Sequence, residues 1–149
     1  MALLVSACAA PLKTRYFQDA NLSSEPKVVA LLTQTEFDPD IRIALKMAGF
    51  KVVKYASLNR VDKSINETTH YSYNEAEVKY GISVYPGREV DWCIGGDGIM
   101  LGRAVFELSD LSTNETLFYT QAGGWTASCG LPDEIVWDIL AEGLGNNWK

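Results

Sequence analysis

Apolar and polar positions change rhythm several times along the chain, and each change marks an element. Lys27 to Gln34 (KVVALLTQ) is nearly continuous in apolar residues, the pattern of a strand buried on both faces. Asp38-Pro39-Asp40 marks a helix start: Asp38 is the N-cap candidate, Pro39 suits the first helical position, and Asp40 suits the positive end of the dipole. Ile41, Ala44, Leu45 and Ala48 supply its apolar stripe, and Gly49 its stop. Lys51 to Ala56 (KVVKYA) is the next strand, so strand, helix and strand form a βαβ-like unit with parallel partners. Ser57 to Tyr73 is polar and poorly periodic and reads as a loop with a short helix. Its aromatic end, with His70, Tyr71 and Tyr73, is expected to pack along a sheet edge or to line a groove.

From Ala76 onward the period becomes two. Val78, Tyr80, Ile82 and Val84 alternate with more polar neighbours up to the Pro86-Gly87 turn, and Val90, Trp92 and Ile94 do the same up to Gly95-Gly96-Asp97-Gly98. Ile99 to Ser109 reads as one long strand, Asp110 to Glu115 as a turn, and Thr116 to Ala122 as the last strand. Leu131-Pro132-Asp133-Glu134 opens a final helix with Val136, Ile139, Leu140, Gly143 and Leu144 on one face and Trp148 near its end. Trp92 and Trp137 read as core or half-buried residues. The expected fold is α+β over residues 27–149. It has a mixed sheet of about six strands, a βαβ unit followed by an antiparallel four-strand meander, with two main helices on one face.

The first residues change the picture most. Met1-Ala2-Leu3-Leu4-Val5-Ser6-Ala7-Cys8 is an apolar run ending in two small residues and a cysteine. It resembles the bacterial lipobox, with Val5, Ser6, Ala7 and Cys8 in the four places. The resemblance implies cleavage before Cys8 and a lipid, palmitate among its acyl chains, carried from that thiol. Ala9 follows where an Asp would favour retention at the inner membrane, so the implied location is the periplasmic face of the outer membrane. No Lys or Arg precedes Cys8 and the apolar run is short, so residues 1–8 read as a truncated signal segment. Met1 is then an internal methionine of a longer signal or an artificial start. Residues 9–26, with Pro11, Asn21, Ser23, Ser24 and Pro26, read as a tether on which Tyr16 and Phe17 are able to dock.

The chain has 149 residues, enough for one core without a metal, and a formal charge of -6. An acidic chain gains nothing from counterion release on a nucleic acid, so no nucleic-acid partner is expected. The partners implied are the membrane, through the lipid, and a protein partner or a homo-oligomer.

Candidate chemistry is sparse. His70 is the one histidine, there is no Cys-x-x-Cys, and no metal or other cofactor is expected. Gly95-Gly96-Asp97-Gly98 lacks the Lys-Ser/Thr of a phosphate loop and the repeated ligands of a calcium loop, so it reads as a hairpin turn. Gly123-Gly124-Trp125 pairs a flexible dipeptide with an aromatic, which suits either a recognition surface or a cap on the core. His70, Tyr71, Gly123, Gly124 and Trp125 are therefore the candidate partner-binding residues, and no catalytic residue is assigned. If Cys8 is taken by lipid, Cys93 and Cys129 remain as an even pair. An exported domain meets oxidising conditions in which such a pair closes, for a stabilisation on the order of 4 kcal/mol in the chain-entropy model.

The segment Ala104-Val105-Phe106-Glu107-Leu108-Ser109-Asp110-Leu111-Ser112-Thr113-Asn114-Glu115-Thr116-Leu117-Phe118 ends a strand in an aspartate turn and starts the next. In this and in element order the chain resembles small periplasmic lipoprotein domains of the curli-pore (CsgG) and TolB N-terminal type. Asn114 stands where the turn glycine is usual, and it also tolerates positive φ. The resemblance implies fold and location and carries no activity. The expectation is a non-catalytic accessory lipoprotein that binds a protein or self-assembles. The alternative is a small periplasmic hydrolase or enzyme inhibitor using the His70 region.

Overall fold

The computed structural model describes residues 12–53, 59–64, 70–75, 78–87, 100–123 and 131–149, with backbone alone at 59–64, 70–75, 100–101 and 131–134. The apolar run after Lys27 forms β2 (Val28–Leu31), and the run after Phe50 forms β3 (Lys51–Val53). They pair in parallel with Val29 opposite Val52, joined by α1 (Asp38–Met47), so the βαβ unit is real. Ile41, Ala44 and Leu45 are buried on α1. Asp38 does not cap the helix. Its Oδ1 instead accepts from Thr35 N and Thr35 Oγ1, both at 2.9 Å, and Pro39 fills the first turn. At the other end Gly49 N donates to Lys46 O and Phe50 N to Leu45 O, closing the helix.

Three further strands alternate as the sequence predicts: β6 (Tyr80–Tyr85), β8 (Ala104–Asp110) and β9 (Glu115–Ala122). β6 lies parallel to β2 and antiparallel to β8, and β8 is antiparallel to β9. The last strand of the sheet is β1 (Lys13–Tyr16), antiparallel to β9 at the outer edge. The order is β1-β9-β8-β6-β2-β3, an α+β mixed sheet of six strands with two helices. The antiparallel part has four strands, but its fourth member is β1. Residues 89–94, expected second in the meander, lie outside the described residues, and β6 pairs with β8 directly.

Two more expectations are corrected. Within residues 57–73, expected as a loop with a short helix, the described residues are strand. Asn59–Ser64 (β4) and His70–Glu75 (β5) pair antiparallel, with Val61 opposite Tyr73 and Lys63 opposite Tyr71. The long strand over Ile99–Ser109 is broken at Gly102-Arg103 into β7 (Met100–Leu101) and β8. β7 instead pairs with β10 (Leu131–Pro132), which leads into α2 (Asp133–Asn146).

Alternation along the strands gives the sheet two unlike faces. Tyr80, Ile82, Val84, Ala104, Phe106, Leu108, Phe118 and Ala122 are buried in one core with Val136, Trp137, Leu140 and Leu144 of α2 and Ile41 and Leu45 of α1. The Trp137 ring stacks on Phe106 at 5.9 Å and tilts against Phe37. Trp148 closes the far end, edge-on to Phe50 and Tyr80, with its Nε1 donating to Glu25 O at 3.1 Å. No described helix is long and apolar enough to cross a membrane.

Folding starts earlier in the chain than the tether reading allows. A Cβ on Gly143 of α2 would lie 2.5 Å from Leu12 Cδ2, so Leu12 seats where α2 has no side chain. The Tyr16 hydroxyl donates to Asn147 Oδ1, and Asn147 Nδ2 donates to Thr14 Oγ1 at 3.1 Å. Leu22 is buried, and its N–H donates to the Lys149 carbonyl at 2.6 Å. Hence Leu12, Thr14 and Tyr16 belong to the helix side of the sheet, and Lys13, Arg15 and Phe17 to the other.

Candidate functional site

Among the described residues no helix packs on the second face of the sheet, although its β2–β6 part is closed by Leu32 lying over Gly81 beside the buried Ala30, which leaves the part along β1, β9 and β8 open. Ser83 pairs with Glu107 and Glu107 with Tyr119, while Tyr85 pairs with Val105 and Val105 with Gln121, so these residues share that face. A shallow groove of about 470 Å³ runs across it, lined by Phe17, Tyr85, Gly87, Arg103, Val105, Glu107 and Tyr119. Phe17 is 64% exposed and Tyr85 49%. The Phe17 and Tyr119 rings tilt together at 5.8 Å. Glu107 is half-buried, and its Oε1 accepts from the Thr116 hydroxyl at 2.7 Å, which fixes the carboxylate.

Arg103 is placed by two glycines. Gly87 has φ +74°, and a Cβ there would fall 1.8 Å from the Arg103 carbonyl oxygen. Gly123 has φ +100°, and its Cβ would fall 2.9 Å from Arg103 Cα. Both positions need a residue with no side chain that tolerates positive φ. The sequence places Gly123 in a loop that suits either a recognition surface or a cap on the core. The structure gives it this packing role, setting the backbone from which Arg103 reaches the groove.

A second concavity, about 760 Å³, lies between the outer side of α1 and β3. It is lined by Pro39, Arg42, Ile43, Lys46, Phe50, Lys51 and Val52, with Gly49 at the bend. Arg42, Lys46 and Lys51 are its charged lining residues, and none of the lining residues is acidic. Ile43 is 61% exposed and the neighbouring Met47 82%, which is unusual for aliphatic residues on a helix that already has a buried face. β3 ends the sheet, and among the described residues its outer edge pairs with no strand. Lys51 N donates to Lys27 O at 2.8 Å, toward β2. By alternation Val52 then turns its N–H and C=O outward, to the open edge.

His70 and Tyr71 are brought to the start of β5, in the β4–β5 pair, opposite Ser64 and Lys63. The structure does not join them to Gly123 in one site. Cys8, Cys93, Gly124, Trp125 and Cys129 lie outside the described residues. Phe17, expected from the sequence to dock on the domain, lies in the groove, whereas Arg103, Tyr119 and the edge residues Ile43 and Val52 carry no such signal in the sequence. The one available signal was the surplus of apolar residues on α1 beyond the four needed for its stripe.

Among the described residues no three of His, Cys, Asp and Glu come together as a metal site. No family model matches the chain, and no curated protein matches it.

Proposed function

We propose that this chain is a non-catalytic accessory lipoprotein, held through Cys8 at the periplasmic face of the outer membrane, which acts by binding a protein or a second copy of itself. The observation that carries the binding role is the open edge of β3 beside the exposed Ile43 and Met47. An exposed edge strand is a template for another strand, and native proteins usually blunt it unless it is used. An extended segment added at Val52 would gain main-chain hydrogen bonds, and its alternate side chains would rest on Ile43, Phe50 and Val52. Arg42, Lys46 and Lys51 select for acidic side chains on that segment. Such a segment, apolar and acidic in alternation, describes the partner by its chemistry.

The test is site-specific photo-cross-linking in cells, with the photoreactive residue at Lys46. A discrete cross-linked species is expected. Val52→Pro should abolish it, because the lost N–H faces the open edge and the sheet's own ladder is untouched. Ile43→Lys should weaken it. Cross-linking that persists in both variants would remove the edge from the binding role. Hydrolytic turnover by the purified protein, lost on His70→Ala, would overturn the non-catalytic reading itself.

A further inference from the structure

We propose that the helix-free face of the sheet is a membrane-docking surface, laid on an anionic bilayer by the short link between Cys8 and Leu12. The inference rests on acylation of Cys8. Residues 9–11 alone separate that cysteine from Leu12, which is already seated on α2. Four residue steps span at most about 14 Å when fully extended. A tether over residues 9–26 would let the domain stand well away from its anchor, but a link this short does not. The lipid therefore holds the β1 edge of the sheet close to the headgroups.

Two surfaces meet at that edge, and their charges decide between them. On the helix side, α2 exposes Asp138 and Glu142. On the other side, β1 presents Lys13 and Arg15, with Phe17 next in the alternation and Tyr119 beside it. Tyr85 and Arg103 continue the same surface across β6 and β8. Glu107 is the acidic residue lining this groove, and its carboxylate is half-buried and engaged by Thr116. In a chain of net charge -6, the gathering of Lys13, Arg15 and Arg103 on one face runs against the overall balance. Anionic headgroups attract this face and repel the acidic side of α2. Exposed tyrosine and phenylalanine beside long cationic side chains are also the set that settles at headgroup level, rings in the boundary and charges toward water. The two glycines that fix Arg103 hold one of these cations on rigid backbone.

The experiment uses the acylated full-length protein in vesicles of phosphatidylethanolamine and phosphatidylglycerol. Tyr85→Cys and Ile43→Cys are labelled with a bilayer-impermeant maleimide, after subtracting the labelling of Cys93 and Cys129 in the parent protein. A companion protein carries a Gly-Ser insertion of about 20 residues between Ala10 and Pro11, with a root-mean-square span of about 25 Å. The expected result is labelling of Tyr85→Cys several-fold slower with the native link than with the long one, and equal labelling of Ile43→Cys in both. Lys13→Glu combined with Arg103→Glu should restore fast labelling of Tyr85→Cys with the native link. Equal labelling of Tyr85→Cys with both links would overturn the proposal, as would protection that appears only after a second protein is added. Fatty-acid labelling and flotation separate this from the anchor: acyl labelling that persists in Cys8→Ser removes the lipid attachment, whereas an acylated protein that floats with Tyr85→Cys freely labelled removes the docking face alone.

Discussion

Thr120 and Trp137 each enclose a polar atom, Oγ1 and Nε1, with no hydrogen-bond partner among the described residues. Thr120 sits on the core face of β9 between Phe118 and Ala122. Thr120→Val removes the enclosed hydroxyl at nearly constant shape and is expected to stabilise the fold by about 1 kcal/mol. Urea unfolding should show a higher midpoint at an unchanged slope, and a lower midpoint would mean that the hydroxyl is satisfied. The Lys79–Glu25 pair behaves differently. Its Nζ lies 2.7 Å from Glu25 Oε1 with both side chains partly exposed, and that hydrogen bond, followed by contacts with Tyr80, raises the lysine above its ordinary range. A raised lysine contributes stability that is whole below the unfolded-state value, about pH 10.4, and is lost as pH climbs through the folded-state value. Water screens such a pair, so its worth stays within about 1 kcal/mol. The difference in melting temperature between wild type and Glu25→Gln should be small and constant at neutral pH and shrink only in strong alkali. A difference that already fades near neutrality would assign it to another group. At this scale much was legible: Asn114 takes φ 59° as its turn position requires, and Trp137 is core. The unpartnered hydroxyl of Thr120 was not, because a threonine in an alternating strand does not reveal what its neighbours can accept.

The helices and the long strands were legible because their periods are strong and their stop signals local. Three strands escape the pattern for a shared reason. The β1 segment KTRY and the β4–β5 segments NRVDKS and HYSYNE are too polar for apolar alternation to stand out. Their strand form comes from pairing with another segment, and β1 finds its partner about a hundred residues away. The break at Gly102-Arg103 is likewise tertiary, since it reflects Gly87 and Gly123 closing on the Arg103 backbone. Gly87→Ala should therefore destabilise by about 1–3 kcal/mol, from a positive φ together with a clash against backbone. Gly49→Ala, with open space around its Cβ, pays only the positive-φ part. Calorimetry of the two variants checks the order, and equal losses would show that crowding at Arg103 is relieved by a backbone shift.

For the whole molecule, a mixed six-strand sheet with two helices was within reach of pattern alone, but the surfaces a partner would meet were not. The β3 edge and the helix-free face arise from strand order, which the sequence shows only in part. The proposed export carries a chemical expectation for Cys93 and Cys129. Mass spectrometry of periplasmic material without reductant should find them linked and closed to alkylation, and two freely alkylated thiols would argue against the exported location. The pairing of β1 with β9 also sets an order of events. On a chain that emerges from its N-terminus, residues 13–16 have no strand to join until residues 118–121, about a hundred positions later, are in place. The other five strands of the sheet lie between these two segments or include the later one, so the seam between β1 and β9 is the last of the six-strand sheet able to close.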